Sequence, residues 1–112
     1  MLPEVKTFLT DAIECARSIE DGIRGRTFVD FMNDRLFRQG IYYEFTIIGE
    51  ALTQTRRLDP TTFDRISNSP RIVGFRNQVV HGYQKLHHEV SWQIIQAHLP
   101  TLIDELTVLI EE

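Results

Sequence analysis

Cysteine is nearly absent from this chain. The single residue, Cys15, excludes an intramolecular disulfide and any zinc site built on two or four thiolates. A chain so poor in thiols fits a reducing compartment, and a cytoplasmic location is expected. Long apolar runs are missing too. No segment approaches bilayer-spanning length, so no membrane role is expected. Glu4, Lys6 and Asp11 interrupt the first apolar residues and leave no signal-peptide core. No internal repeat, low-complexity segment or second domain is evident, so the expectation is one domain over residues 1–112. Nor is there a surplus of positive charge: the formal net charge is −4.

The charge that is present is unevenly placed. Residues 35–85 carry a net +4, whereas residues 1–34 carry −3 and residues 86–112 carry −5. A basic middle between acidic flanks can present a local cationic patch to an anionic partner. A mixed, solvated surface accounts for the same composition.

Apolar residues recur at helical spacing along most of the chain. Leu9, Ala12, Ile13, Ala16, Ile19 and Ile23 mark one face of a helix from about Pro3 to Ile23. Thr27 to Met32 is compatible with a short helix closed by Asn33-Asp34. Phe37, Ile41, Phe45, Ile48 and Leu52 step by three or four through a proline-free stretch from Arg35 to about Arg57, the longest helix expected. The run Ile41–Ile48 is rich in strand formers, but the unbroken period and the lack of flanking turn signals favour helix. Gly40 and Gly49 each cost such a helix about 1 kcal/mol relative to alanine. Close approach of a neighbouring helix is one reason to keep Gly49.

Asp59-Pro60 reads as an N-cap and first-turn proline opening a short helix to about Ile66, and Asn68-Ser69-Pro70 repeats the device. Ile72, Phe75 and Val79 give the next helix its apolar side, and Gly82 ends it. Gln84 to His88 is expected as a loop. Trp92, Ile95, Leu99, Leu102, Leu106 and Leu109 stripe a last helix starting near Glu89 or Ser91, with a kink expected at Pro100. The fold class is therefore all-α, an antiparallel bundle of four or five helices with short connections.

One stretch concentrates polar chemistry: Arg76-Asn77-Gln78-Val79-Val80-His81-Gly82-Tyr83. A histidine moves protons in either direction near neutral pH, and a guanidinium offers a planar fork to phosphate oxygens. Together Arg76 and His81 suit attack of an RNA 2′-hydroxyl on its own phosphodiester, with no metal. A 2′,3′-cyclic phosphate is the expected product. The pairing alone is weak, since ten arginines and four histidines supply roughly 0.4 such pairs by chance. A surface arginine and a histidine favoured by the helix dipole explain it equally well. At about 100° per residue the two lie roughly 140° apart. They converge only through the reach of Arg76, or in a groove shared with another helix or subunit. Glu50 is a candidate partner for Arg76, whether as a core ion pair or as an orienting group. Asn77 shares a face with His81. Trp92 and Tyr43 read as core or interface aromatics, and Cys15 as a buried small hydrophobe. Adjacent His87-His88-Glu89 without a second ligand pair makes a poor metal site, so neither metal nor cofactor is expected.

Three segments together resemble a known family. Ile48-Gly49-Glu50-Ala51, Arg71 to Tyr83, and Val90-Ser91-Trp92-Gln93-Ile94-Ile95 leading to Leu99-Pro100 are similar to the HepT-like branch of the HEPN superfamily. The likeness covers about residues 35–105 and is clearest at Arg-x4-His-x-Tyr. It implies a homodimeric, HEPN-like bundle and a metal-independent endoribonuclease, the toxin of a toxin–antitoxin pair. It assigns catalysis to Arg76 and His81, with Asn77 and Glu50 in support. It also makes Tyr83 the residue to which a partner antitoxin, a minimal nucleotidyltransferase of the MntA type, attaches AMP. The added phosphate would occupy the cation and block RNA. Competing expectations are a non-catalytic module that binds a nucleotide or nucleotidyltransferase, and a purely structural dimerisation bundle.

Overall fold

A computed structural model describes residues 1–112. Six α-helices follow one another: α1 (Pro3–Ile23), α2 (Phe28–Asn33), α3 (Arg35–Leu58), α4 (Pro60–Asp64), α5 (Ser69–His81) and α6 (His88–Glu111). A 3₁₀ turn, Tyr83–Lys85, joins the last two. Four of the helices are long, and α2 and α4 are short corner pieces of 6 and 5 residues. Their addition takes the total past the four or five expected without changing the class.

The helix α3 is the spine. It packs against α1 on one side and α5 on the other, and α6 lies on α1. Tyr42 meets Tyr83 while Gly49 meets Arg76, so α3 and the α5 segment run antiparallel. The apolar stripes read from the sequence form the core. Leu9, Ile19, Phe45, Ile48, Leu52, Ile95 and Leu106 are all fully buried. The strand-forming run 41–48 is helical because the 3.6 period puts Ile41, Phe45 and Ile48 on the buried face, which outweighs local preference. The 42 Å long axis of the molecule follows from the 24-residue helices α3 and α6, each about 36 Å long.

Caps end the elements much as expected. Asp59 accepts from the Thr62 backbone N–H and hydroxyl at 3.2 and 2.7 Å. Thr27 and Asp30 form a reciprocal capping box on α2. The α2 carbonyls of Phe31 and Met32 accept from Arg38 at 3.1 and 2.8 Å, which ties the short helix to α3. Three local expectations are corrected. Asn68 makes no side-chain cap; instead the buried Ser69 hydroxyl donates to the Phe63 carbonyl at 3.0 Å. The stretch 84–88 is a loop only in part, because the 3₁₀ turn takes its first residues and α6 begins at His88. Tyr43 is 67% exposed, which removes the core half of its core-or-interface expectation, whereas Tyr42 and Trp92 are buried. α6 continues through Pro100, whose exposed position leaves the undonated bond on the solvent side.

Candidate functional site

The site begins with a missing side chain. At Gly49 a β-carbon would stand 2.3 Å from Cβ and 2.5 Å from Cγ of Arg76. Only glycine lets α5 approach α3 this closely, so the helical cost of Gly49 is offset by a packing requirement. The stem of Arg76 crosses that notch and its guanidinium emerges beside Glu50. One terminal nitrogen donates to Glu50 Oε2 at 3.1 Å and the other to Asn77 Oδ1 at 3.0 Å. Glu50 is itself held, because Gln54 donates to its other oxygen at 2.9 Å and Arg57 donates to Gln54 at 3.0 Å. The fork is thus fixed from both sides, with Nε buried and unpartnered and the side chain 22% exposed.

A groove of about 290 Å³ flanks this clamp between α1 and α3 and includes Asp11 and Glu50. Two carboxylates on that side repel an anion. An anion would therefore meet Arg76 with less opposition from the Asn77 side.

His81 is the last residue of α5, exposed and without an intrachain side-chain hydrogen bond. The helix stops at Gly82 with a negative φ of −145°, so its glycine is not required by a left-handed conformation. Arg76 and His81 are about 7.5 Å apart along the axis and 140° around it, and no bond joins them. Asn77 is the link between them. It accepts from Arg76 and lies one turn before His81 on the same face. A single chain therefore presents the cation and the imidazole on different faces of one helix.

Tyr83 opens the 3₁₀ turn and is half-buried. Its ring meets Tyr42 edge-on at 5.7 Å and His88 at 6.1 Å, and its hydroxyl has no intrachain partner. Tyr42 and His88 share a hydrogen bond of 2.7 Å between the phenol oxygen and Nδ1. Burial raises the Tyr42 pKa and lowers that of His88, which favours the neutral forms of both partners in this bond. This pair was not expected from the sequence. The only signal is an aromatic on the buried face of α3, since the sequence reads His88 as part of a loop. His88 is turned inward and His87 outward, and no group of His, Cys, Asp and Glu stands together as a metal site. Cys15 is half-buried against the core, and burial with the nearby Glu44 carboxylate pushes its thiol up to about 12.

The family described as ribonuclease HepT-like matches residues 12–109. "Putative RNase MJ1380" of Methanocaldococcus jannaschii is 26% identical over 95% of this chain and 96% of its own length. "Putative RNase MJ0127" of the same organism is 25% identical over 97% and 89%. "Putative RNase TTE0752" of Caldanaerobacter subterraneus is 26% identical over 88% and 87%. No solved structure gives a significant match. The chain belongs to the HepT-like family of the HEPN superfamily.

Proposed function

We propose that this HepT-like chain is an RNA-cleaving toxin, a metal-independent endoribonuclease that works as a homodimer in the cytoplasm. The observation that carries the reading is the clamp at Gly49. It fixes one guanidinium at the surface with N–H groups to spare, about 1.4 helical turns from an unencumbered histidine. The remaining donors of Arg76 suit the non-bridging oxygens of a phosphodiester, whose charge grows as the phosphorus gains a fifth ligand. His81 takes the proton from the ribose 2′-hydroxyl. The O2′–P bond forms, the P–O5′ bond breaks, and the leaving oxygen is protonated. The products are a 2′,3′-cyclic phosphate and a 5′-hydroxyl. Since one chain holds Arg76 and His81 on different faces, the full site forms where two copies bring their α5 helices together.

In the same reading a nucleotidyltransferase of the MntA type neutralises the toxin by transferring AMP to Tyr83. The unpartnered hydroxyl at the end of α5 supports this. Attached phosphate would draw on the cation that RNA needs. The alternative, a module that binds a nucleotide or a nucleotidyltransferase without cutting RNA, draws support from the existing pairing of Arg76 with Glu50.

Incubation of the purified chain with synthetic RNA in EDTA, followed by mass analysis of the ends, separates the two. The expected result is cyclic-phosphate ends, lost in His81→Ala at unchanged thermal midpoint and much reduced in Arg76→Lys, which lacks the planar fork. Cleavage by His81→Ala at the parental rate would end the assignment, and binding without new ends would favour the module.

A further inference from the structure

A second feature lies on the other side of α5. Two adjoining cavities of about 400 and 270 Å³ share Phe75, Gln78 and Ile94, and so form one groove between α5 and α6. It exists because α5 packs on α3 and α6 packs on α1, and because Gly74 leaves open space where a side chain would project. From Arg71 to Gly82 it runs about 16 Å along α5.

Its lining is unusual for so acidic a chain. Arg71 and His98 stand at one end and Lys85 and His87 at the other, with no carboxylate between them. Every other cavity on the molecule includes at least one Asp or Glu. Arg71 and Lys85 belong to none of the three ion pairs, which are Arg24–Asp21, Arg65–Glu112 and Arg76–Glu50. Both cations are exposed. Between them lie apolar side chains, Val90 and Ile94 among them, with the exposed Gln78 amide midway. Unpaired cations at the ends and an apolar floor match a single-stranded nucleic acid, which offers a charged backbone and flat base faces. The groove ends at Gly82, next to His81.

We propose that the α5–α6 groove is a track for single-stranded RNA, with Arg71 and Lys85 gripping phosphates on either side of Gln78 and leading the strand to His81. The proposal deepens the ribonuclease reading and rests on it for the identity of the strand. His98 supplies a local reporter. Its pKa is lowered by burial and then by Arg71, so a phosphate settling against Arg71 would move it back up.

The test uses the full chain carrying His81→Ala, so that binding is read without cutting. Affinity for a mixed-sequence, fluorescently labelled oligoribonucleotide is measured by anisotropy across a salt series. Arg71→Gln with Lys85→Gln is expected to weaken binding at least tenfold. It should also make the plot of log K against log salt shallower by about 1.4, at about 0.7 per phosphate for a single strand. Light scattering should give an unchanged mass, and in NMR titration the His98 ring signals should move with RNA. Parental affinity and slope in the double variant would overturn the track. Weakened binding with a changed mass would overturn it as well, because the groove would then be a contact between copies. The two readings fail separately. Cleavage by the parent that is indifferent to the groove variants removes the track alone, and groove-dependent binding to a parent that cannot cut removes the nuclease alone.

Discussion

Alanine at position 49 should uncouple two effects that usually travel together. A methyl there would lie 2.3 Å from Arg76 Cβ, whereas ordinary contact begins near 3.4 Å, so the helices must part by at least about 1 Å. Rotation of Arg76 cannot relieve this, because Cβ is fixed to the α5 backbone. Overpacking of this kind costs about 1–3 kcal/mol, and alanine returns about 1 kcal/mol of helix propensity. The net change therefore falls between about zero and 2 kcal/mol destabilising, too close to zero to interpret alone. Gly40→Ala provides the reference, since it lies in the same helix with nothing within 4 Å and should stabilise by about 1 kcal/mol. Urea unfolding of both variants at one pH isolates packing as the gap between them, about 1–3 kcal/mol. Repeating the Gly49→Ala comparison within an Arg76→Gly background, with that single variant as its reference, should close most of that gap, because the background lacks both clashing carbons. An Arg76→Ala background, which keeps Cβ, should not. If Gly49→Ala proves as stable as Gly40→Ala, the close approach of α3 and α5 is wrong, and the clamp on Arg76 fails with it.

Glu50→Gln should leave the free energy of urea unfolding within about 0.5 kcal/mol of the parent, because a half-exposed pair contributes little to stability. RNA cleavage should nonetheless fall by about ten- to a hundredfold as the fork loses its aim. A large stability loss with unchanged cleavage would reverse that division of roles. Tyr42→Phe leaves His88 Nδ1 without its hydrogen-bond partner and should cost about 1 kcal/mol by urea unfolding, so an unchanged midpoint would remove that bond from the structure. Burial lowers the pKa of both His88 and His98 below the ordinary 6.5. The unfolded chain then binds more protons than the folded one as pH falls through 6.5, so stability should drop in that window and recover above it. His88→Gln with His98→Gln should flatten the pH dependence of the thermal midpoint, and an undiminished slope would assign it to other groups.

Much of the fold was legible because helical burial leaves a periodic trace. Leu99, Leu102, Leu106 and Leu109 could face inward only if α6 was one continuous element, and they do. Asp59 announced its cap through the proline that follows it. At Tyr42 and Tyr43 the period was right, but adjacent aromatics are 100° apart on a helix and the boundary of the buried face decides between them. The core took Tyr42, whose phenol found a partner in His88. That partner lies 46 residues away, and local sequence carries no trace of such a bond.

The order and type of the helices, the proline and glycine punctuation, and the cluster from Arg76 to Tyr83 followed from the residues alone, since each depends on neighbours within a turn or two. The notch that makes Gly49 indispensable, the aim of Arg76 between Glu50 and Asn77, and the carboxylate-free groove behind α5 did not. Those depend on distances between chain segments that only packing fixes. A helix propensity table reads Gly49 as a weakness in α3, whereas the assembled bundle uses its missing β-carbon to seat the arginine.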